Sequence, residues 1–249
     1  MKRVMLRVAY DGTNYHGWQI QPNGITIESE LNRHLTDLLK EEIHVIGASR
    51  TDSGVHALGN VAVFDTSARM PAEKISYALN TRLPADIRIQ ESKEVAPDFH
   101  PRRCRTVKTY EYKICNRRFP DPCVRLYSLF YYWDLDLDAM RKAAAFLVGT
   151  HDFTSFSTAR ADVTDRVRTI YELNLSKEGD MITLRIRGNG FLYNMVRIIT
   201  GTLLRVGGGF ILPEEIPEIL QAKDRERAGE TARPEGLTLI KIEYPELGY

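Results

Sequence analysis

The sequence predicts an α+β fold: two ferredoxin-like halves of the β-α-β-β-α-β type, whose antiparallel sheets meet at a basic cleft. Three observations carry this expectation. Residues 2–10 alternate Val4, Leu6, Val8 and Tyr10 against Arg3, Met5 and Arg7, the two-residue period of a half-buried strand. Ile27, Leu31, Leu35 and Leu38 follow helical spacing behind Thr26, a natural N-cap, with Glu28 and Glu30 in the first turn, where the helix dipole favours acids. The same succession of patterns then returns, with insertions, in the second half of the chain.

In the first half, residues 43–48 and 60–65 read as strands joined by a Gly-rich loop, Pro71 opens a helix ending near Asn80, and residues 87–95 supply a fourth strand. In the second half, residues 107–115 alternate as a strand, residues 129–135 add another, and Asp138 starts a helix through Ala145 toward Gly149. Residues 168–177 and 181–187 form a hairpin around Glu178-Gly179-Asp180. Residues 191–206 read as a helix with Met195, Ile198, Ile199 and Leu203 on its apolar side, stopped by Gly207-Gly208-Gly209. A short helix from Pro213 and a strand over residues 237–244 complete the pattern. The expected division is 1–100 and 101–249, with a cleft, the usual place for a site, near residues 97–105.

With 249 residues, 43% hydrophobic and 27% charged, the chain has material for a core, which excludes disordered, fibrous and collagen-like classes. No apolar run reaches the roughly 18 residues of a membrane span, and the first residues lack a signal-peptide pattern, so the expected compartment is the cytoplasm. Cys104, Cys115 and Cys123 fit reduced thiols there, and their wide spacing lacks the close pairing of a zinc knuckle. No cofactor or metal is expected.

The formal net charge of +1 conceals an uneven distribution. Residues 100–120 hold Arg102, Arg103, Arg105, Lys108, Lys113, Arg117 and Arg118 against Glu111 alone, a local charge of +6 that leaves −5 for the remainder. Such a strip is either a solvated face or a footprint for a phosphate backbone.

Three segments bear on chemistry. The loop Gly47-Ala48-Ser49-Arg50-Thr51-Asp52-Ser53-Gly54-Val55-His56-Ala57 presents the ionisable pair Arg50 and Asp52 between two strands, either for catalysis or as an Asx-turn beside a solvated arginine. Tyr110 and Tyr112 share one face of a basic strand, as a base-stacking platform or as core packing. Arg197 lies among apolar helix residues, so it either snorkels to water or meets an anionic partner, for which Asp52 is the obvious candidate.

Together these segments resemble the tRNA pseudouridine synthase A family. The resemblance begins with Tyr10-Asp11-Gly12-Thr13 and Gly17-Trp18-Gln19 and includes Arg50-Thr51-Asp52-Ser53-Gly54-Val55-His56-Ala57. It continues through Asn80-Thr81-Arg82-Leu83-Pro84, Phe99-His100-Pro101-Arg102, Lys108-Thr109-Tyr110, His151-Asp152-Phe153 with Phe156, residues 191–201 and Gly236-Leu237. Ser49, Ile20 and Asn194 depart from its commoner glycine, arginine and histidine.

The resemblance implies the pseudouridine synthase fold and isomerisation of uridine to pseudouridine at positions 38, 39 and 40 of the tRNA anticodon stem-loop, without a cofactor. It assigns Asp52, in the N-terminal domain, as the catalytic carboxylate, and Tyr110 and Arg197, in the C-terminal domain, as the stacking tyrosine and the basic partner of the aspartate. Arg50 resembles the arginine that helps extrude the target nucleotide. Charge and proximity add Arg102, Arg103, Arg105 and Lys108 as phosphate contacts. Family members work as homodimers with one tRNA spanning both subunits, so a homodimer is expected.

Two other classes compete. A noncatalytic RNA-binding module of ferredoxin-like fold would share the strand order, but its Lys/Arg-Gly-Phe-Gly/Ala-Phe pattern is missing. A hydrolase would want a second acid or base to handle water, and Ser155, His151 and Asp152 are poorly spaced for a triad.

Overall fold

A computed structural model describes residues 1–158 and 164–248. In chain order the elements are β1 (Lys2–Tyr10), α1 (Ile27–Leu39), β2 (Ile46–Gly47), β3 (His56–Thr66), α2 (Ala72–Asn80), β4 (Ile87–Val95), β5 (Val107–Asn116), β6 (Leu129–Tyr131), α3 (Leu137–Ala145), β7 (Gly149–Asp152), β8 (Val167–Glu178), β9 (Met181–Gly188), α4 (Met195–Gly207), α5 (Ile216–Ala222) and β10 (Leu237–Glu243). They form two compact units, residues 1–106 with 238–249, and residues 107–237. Among the described residues no helix is long and apolar enough to cross a membrane.

In the first unit β1 is central, antiparallel to β3 on one side and β4 on the other. Its Val4, Leu6 and Val8 are wholly buried, as their alternation requires. Helix α1 buries Ile27, Leu31 and Leu35, while Leu38 stays partly exposed. Thr26 caps it: its hydroxyl accepts from the Ser29 amide at 3.2 Å, and the Ser29 hydroxyl accepts from the Thr26 amide at 3.0 Å. Asn80, at the end of α2, accepts from the Ile89 amide and donates to its carbonyl, each at 2.8 Å, which fastens the helix to β4.

The expected strand over residues 43–48 shrinks to the two residues of β2 because its donors are used elsewhere. The Ile43 amide donates to the Thr36 hydroxyl at 3.0 Å and the Val45 amide to Asn32 Oδ1 at 2.8 Å, both on α1. Only Ile46 and Gly47 pair with β3, opposite Val63 and Ala62. That leaves the other end of the same edge open, and β10 fills it in parallel, with Thr238 opposite His56 and Leu239 opposite Ala57. The last strand, expected with the C-terminal half, thus belongs to the first unit's sheet.

The second unit orders its strands β5-β9-β8-β7, with β6 parallel to β5. The hairpin of β8 and β9 forms as expected, with Gly179 at φ 55° in its turn. Strand β6 ends at Tyr131 instead of residue 135, where Asn116 Nδ2 captures the Tyr131 and Trp133 carbonyls at 3.1 and 2.8 Å. Asp136, not Asp138, caps α3 by accepting from the Ala139 amide at 2.9 Å. Strand β7 escapes the sequence pattern because Gly-Thr-His-Asp carries no apolar alternation. Helix α4 starts at Met195, four residues later than expected, since Asn194 adopts a left-handed φ of 61° that no helix interior accommodates. Tyr112 belongs to the core, wholly buried, and its hydroxyl donates to the Arg233 carbonyl at 2.6 Å.

Glu41 ties the end of α1 to the end of β3. It accepts from the hydroxyls of Thr66 and Ser67 and from the amides of Ser67 and Ala68. Those bonds, the hydroxyls first, lower its pKa from 4.5 to about 2. Because the folded value is depressed, the stabilisation is complete above pH 4.5 and disappears as pH falls through about 2. Glu41→Gln is therefore expected to flatten the loss of stability across that acid window, measured by urea unfolding at successive pH values.

Candidate active site

The loop between β2 and β3 is held rigidly by residues 10–18. The Trp18 amide donates to the Thr51 carbonyl at 3.1 Å, the Gly54 amide to the Tyr15 carbonyl at 3.3 Å, and the Ser53 hydroxyl to that same carbonyl at 3.2 Å. Within the loop, the Val55 amide donates to the Asp52 carbonyl at 3.1 Å, closing a tight turn. Two glycines permit the approach. A Cβ on Gly12 would stand 2.1 Å from the Val55 carbonyl oxygen, and one on Gly17, whose φ is 82°, would stand 2.6 Å from that of Thr51. Thr51 and Val55 are buried, whereas Asp52 is half-buried and Arg50 exposed, so the loop is anchored by one set of side chains and presents the other.

Arg50 shares a cavity of about 140 Å³ with Arg102, lined also by Trp18, Gln19, Glu28 and Gly47. Two arginines chosen separately from the sequence thus come together. Arg102, Arg103 and Arg105 are exposed on a turn fixed from beneath, where the Arg103 amide donates to the His100 carbonyl at 3.0 Å and Tyr244 Oη to the Pro101 carbonyl at 3.1 Å. Burial, then the charges of Arg103 and Arg102, hold His100 below its usual pKa. None of Arg50, Arg102, Arg103 and Arg105 has an ion-pair partner among the described residues. Further along the strip Arg117 lies 3.7 Å from Asp121 and 3.6 Å from Asp180, the strip's one acid, Glu111, is taken by Arg185 at 2.6 Å, and Lys113 and Arg118 are exposed.

In the second unit Tyr110 lies on β5, opposite Ile186 of β9, with its ring edge-on to Phe191 at 5.3 Å and 86°. It is 7% exposed. Lys108, two residues earlier, is half-buried. Arg197 stands in the first turn of α4, half-buried. Its Nε donates to the Ala232 carbonyl at 2.7 Å and its Nη1 to Asn194 Oδ1 at 3.1 Å, which fixes the plane of the guanidinium.

The hydrolytic alternative finds no support in the geometry. Ser155 is wholly buried, donating to the Ile219 carbonyl at 2.6 Å and accepting from the Asp224 amide at 2.9 Å. Asp152 pairs with Lys223 at 2.8 Å, which with the Thr154 hydroxyl lowers its pKa, and His151 Nε2 lies 3.1 Å from the Val148 carbonyl. Among the described residues no group of three or more His, Cys, Asp or Glu side chains could hold a metal ion.

The sequence reading gave Asn60 no role and took Tyr10 as a strand position and part of a motif, yet both reach the loop. Asn60 Nδ2 donates to the Ser49 carbonyl at 3.0 Å, and Tyr10 Oη is 2.7 Å from Thr51 Oγ1. An asparagine heading the apolar run of residues 61–64 was the available signal, and it proves wholly buried.

The family model described as tRNA pseudouridine synthase matches residues 7–102 and 143–245. The tRNA pseudouridine synthase A of Thermoanaerobacter sp. (strain X514) is 49% identical over 244 residues, covering 98% of this chain and all of that protein. The protein of the same name from Acetivibrio thermocellus is 47% identical with the same coverage, and that from Halalkalibacterium halodurans is 48% identical over 95% of this chain and 90% of its own. A match that spans both units, and identity near one half along almost every residue, settle the relationship: the chain belongs to the tRNA pseudouridine synthase family.

Proposed function

We propose that this tRNA pseudouridine synthase acts on uridines 38, 39 and 40 of the anticodon stem-loop, with Asp52 as the reacting carboxylate. The family's reaction is an isomerisation of tRNA uridine. The bond from N1 of uracil to C1′ of the ribose breaks, the base turns, and C5 bonds to the same C1′. C5 gives up its hydrogen to water and N1 gains a proton, so atoms balance without an external reagent. One carboxylate in fixed position is sufficient to attack the sugar or take a sugar proton. The observation that best supports Asp52 is its place on a loop whose backbone is bonded at residues 51, 52, 54 and 55.

Arg50 would help extrude the nucleotide, Tyr110 would stack on the uracil and Arg197 would favour an ionised carboxylate. The exposed Arg102, Arg103 and Arg105, with Lys108, would hold phosphates while the base leaves its stack, a step costing a few kcal/mol. We place the enzyme in the cytoplasm, in keeping with three free cysteines.

A second copy of the chain is the partner we assign to the exposed aromatic surface of the second unit. A cavity of about 570 Å³ is lined there by Tyr131, Trp133, Phe210, Arg205 and Glu230. Trp133 and Phe210 are 68% and 72% exposed. Arg205 and Glu230 are exposed and without an ion-pair partner among the described residues. A two-fold contact would bury these exposed aromatics on both copies at once.

Wild-type protein is expected to release tritium to water from tRNA labelled at uracil C5, and Asp52→Asn to bind that tRNA and release none. Normal release by the variant, or free uracil as the wild-type product, would sink the assignment. Arg102→Ala should weaken tRNA binding and flatten its logarithmic salt dependence by about 1; an unchanged slope would make that strip a solvated face. In sedimentation velocity the wild type should run as a dimer and Trp133→Glu as a monomer; a dimeric variant would place the interface elsewhere.

A further inference from the structure

The loop that carries Asp52 is held at both ends by one short segment. At its start, Asn60 Nδ2 donates to Tyr10 Oη at 3.3 Å, and that oxygen is 2.7 Å from Thr51 Oγ1. Whichever hydroxyl donates in the Tyr10–Thr51 contact, a hydrogen-bonded chain runs from Asn60 through Tyr10 to the residue preceding Asp52. Asn60 is 0% exposed, Tyr10 4% and Thr51 8%, so water does not replace a lost member. At the loop's other end the Gly12 amide donates to Nδ1 of the buried His56 at 3.0 Å. Tyr10 is the last residue of β1 and Gly12 follows it two positions later.

We infer that Tyr10 and Asn60 are positioning residues for the isomerisation, fixing the backbone at Thr51 and through it the direction in which Asp52 presents its carboxylate. The inference rests on Asp52 being the reacting group. Neither residue needs to touch the uridine. A reacting group displaced by about 1 Å costs up to roughly 100-fold in rate, so a clamp of this kind acts on the chemical step and not on tRNA binding.

The test is single-turnover tritium release with enzyme in excess, alongside tRNA binding and thermal unfolding. Tyr10→Phe should slow release by about 10- to 100-fold with the tRNA Kd within about twofold of wild type. Thr51→Val should do the same, Thr51→Ser should retain most of the rate, and Tyr10→Phe with Thr51→Val should be no slower than either alone. A purely structural role predicts additive losses and a Kd that weakens with the melting temperature, and that outcome overturns the inference. So does a Tyr10→Phe rate within about twofold of wild type while Asp52→Asn is inactive. Activity in Asp52→Asn itself would instead remove the assignment of Asp52.

Discussion

The close approach of two backbone segments, residues 12–18 and 51–55, is the constraint on which the candidate site depends. Side chains at Gly12 and Gly17 would meet carbonyl oxygens at 2.1 and 2.6 Å. With those positions bare, amide donors reach across directly, and the loop is held by main-chain bonds that sequence substitutions elsewhere do not remove. Rigidity of this kind suits a reaction with one carboxylate, where misdirection of a single group cannot be offset by another.

Charge is organised by what is left unpaired. Within the basic strip Arg117 is held by Asp121 and Asp180, while the strip's one acid, Glu111, is held by Arg185 of β9, outside the strip. Arg102, Arg103 and Arg105 keep their guanidinium groups unpaired among the described residues, on a turn whose backbone is fastened by His100 and Tyr244. A charge total near zero therefore coexists with a concentrated field over the few exposed residues that have not been neutralised.

Legibility in the sequence followed the range of the interactions. Strand β1, helix α1 and the hairpin of β8 and β9 are specified by local periodicity and caps, and were readable. The truncation of β2 depends on Thr36 and Asn32 capturing its amides, and the late start of α4 on one residue's φ; neither leaves a periodic trace. Alternation placed Tyr110 and Tyr112 on one strand face but could not tell a stacking platform from a core, and Tyr112 is core. At the candidate site, residue type singled out Arg50 and Asp52 as an ionisable pair in a loop, and only the family resemblance gave them roles. Their support was not singled out, because Tyr10 and Asn60 act across long stretches of chain.

The pairing of β10 with His56 and Ala57 has a consequence for the order of synthesis. The strand that closes the first unit's sheet emerges from the ribosome only after the whole second unit. Until then, β3 has an open edge beside the very loop that bears Asp52, and that loop's outgoing end lacks its neighbour. The nascent enzyme thus completes its second unit before its first, and the surroundings of Asp52 are among the last parts of the molecule to assemble.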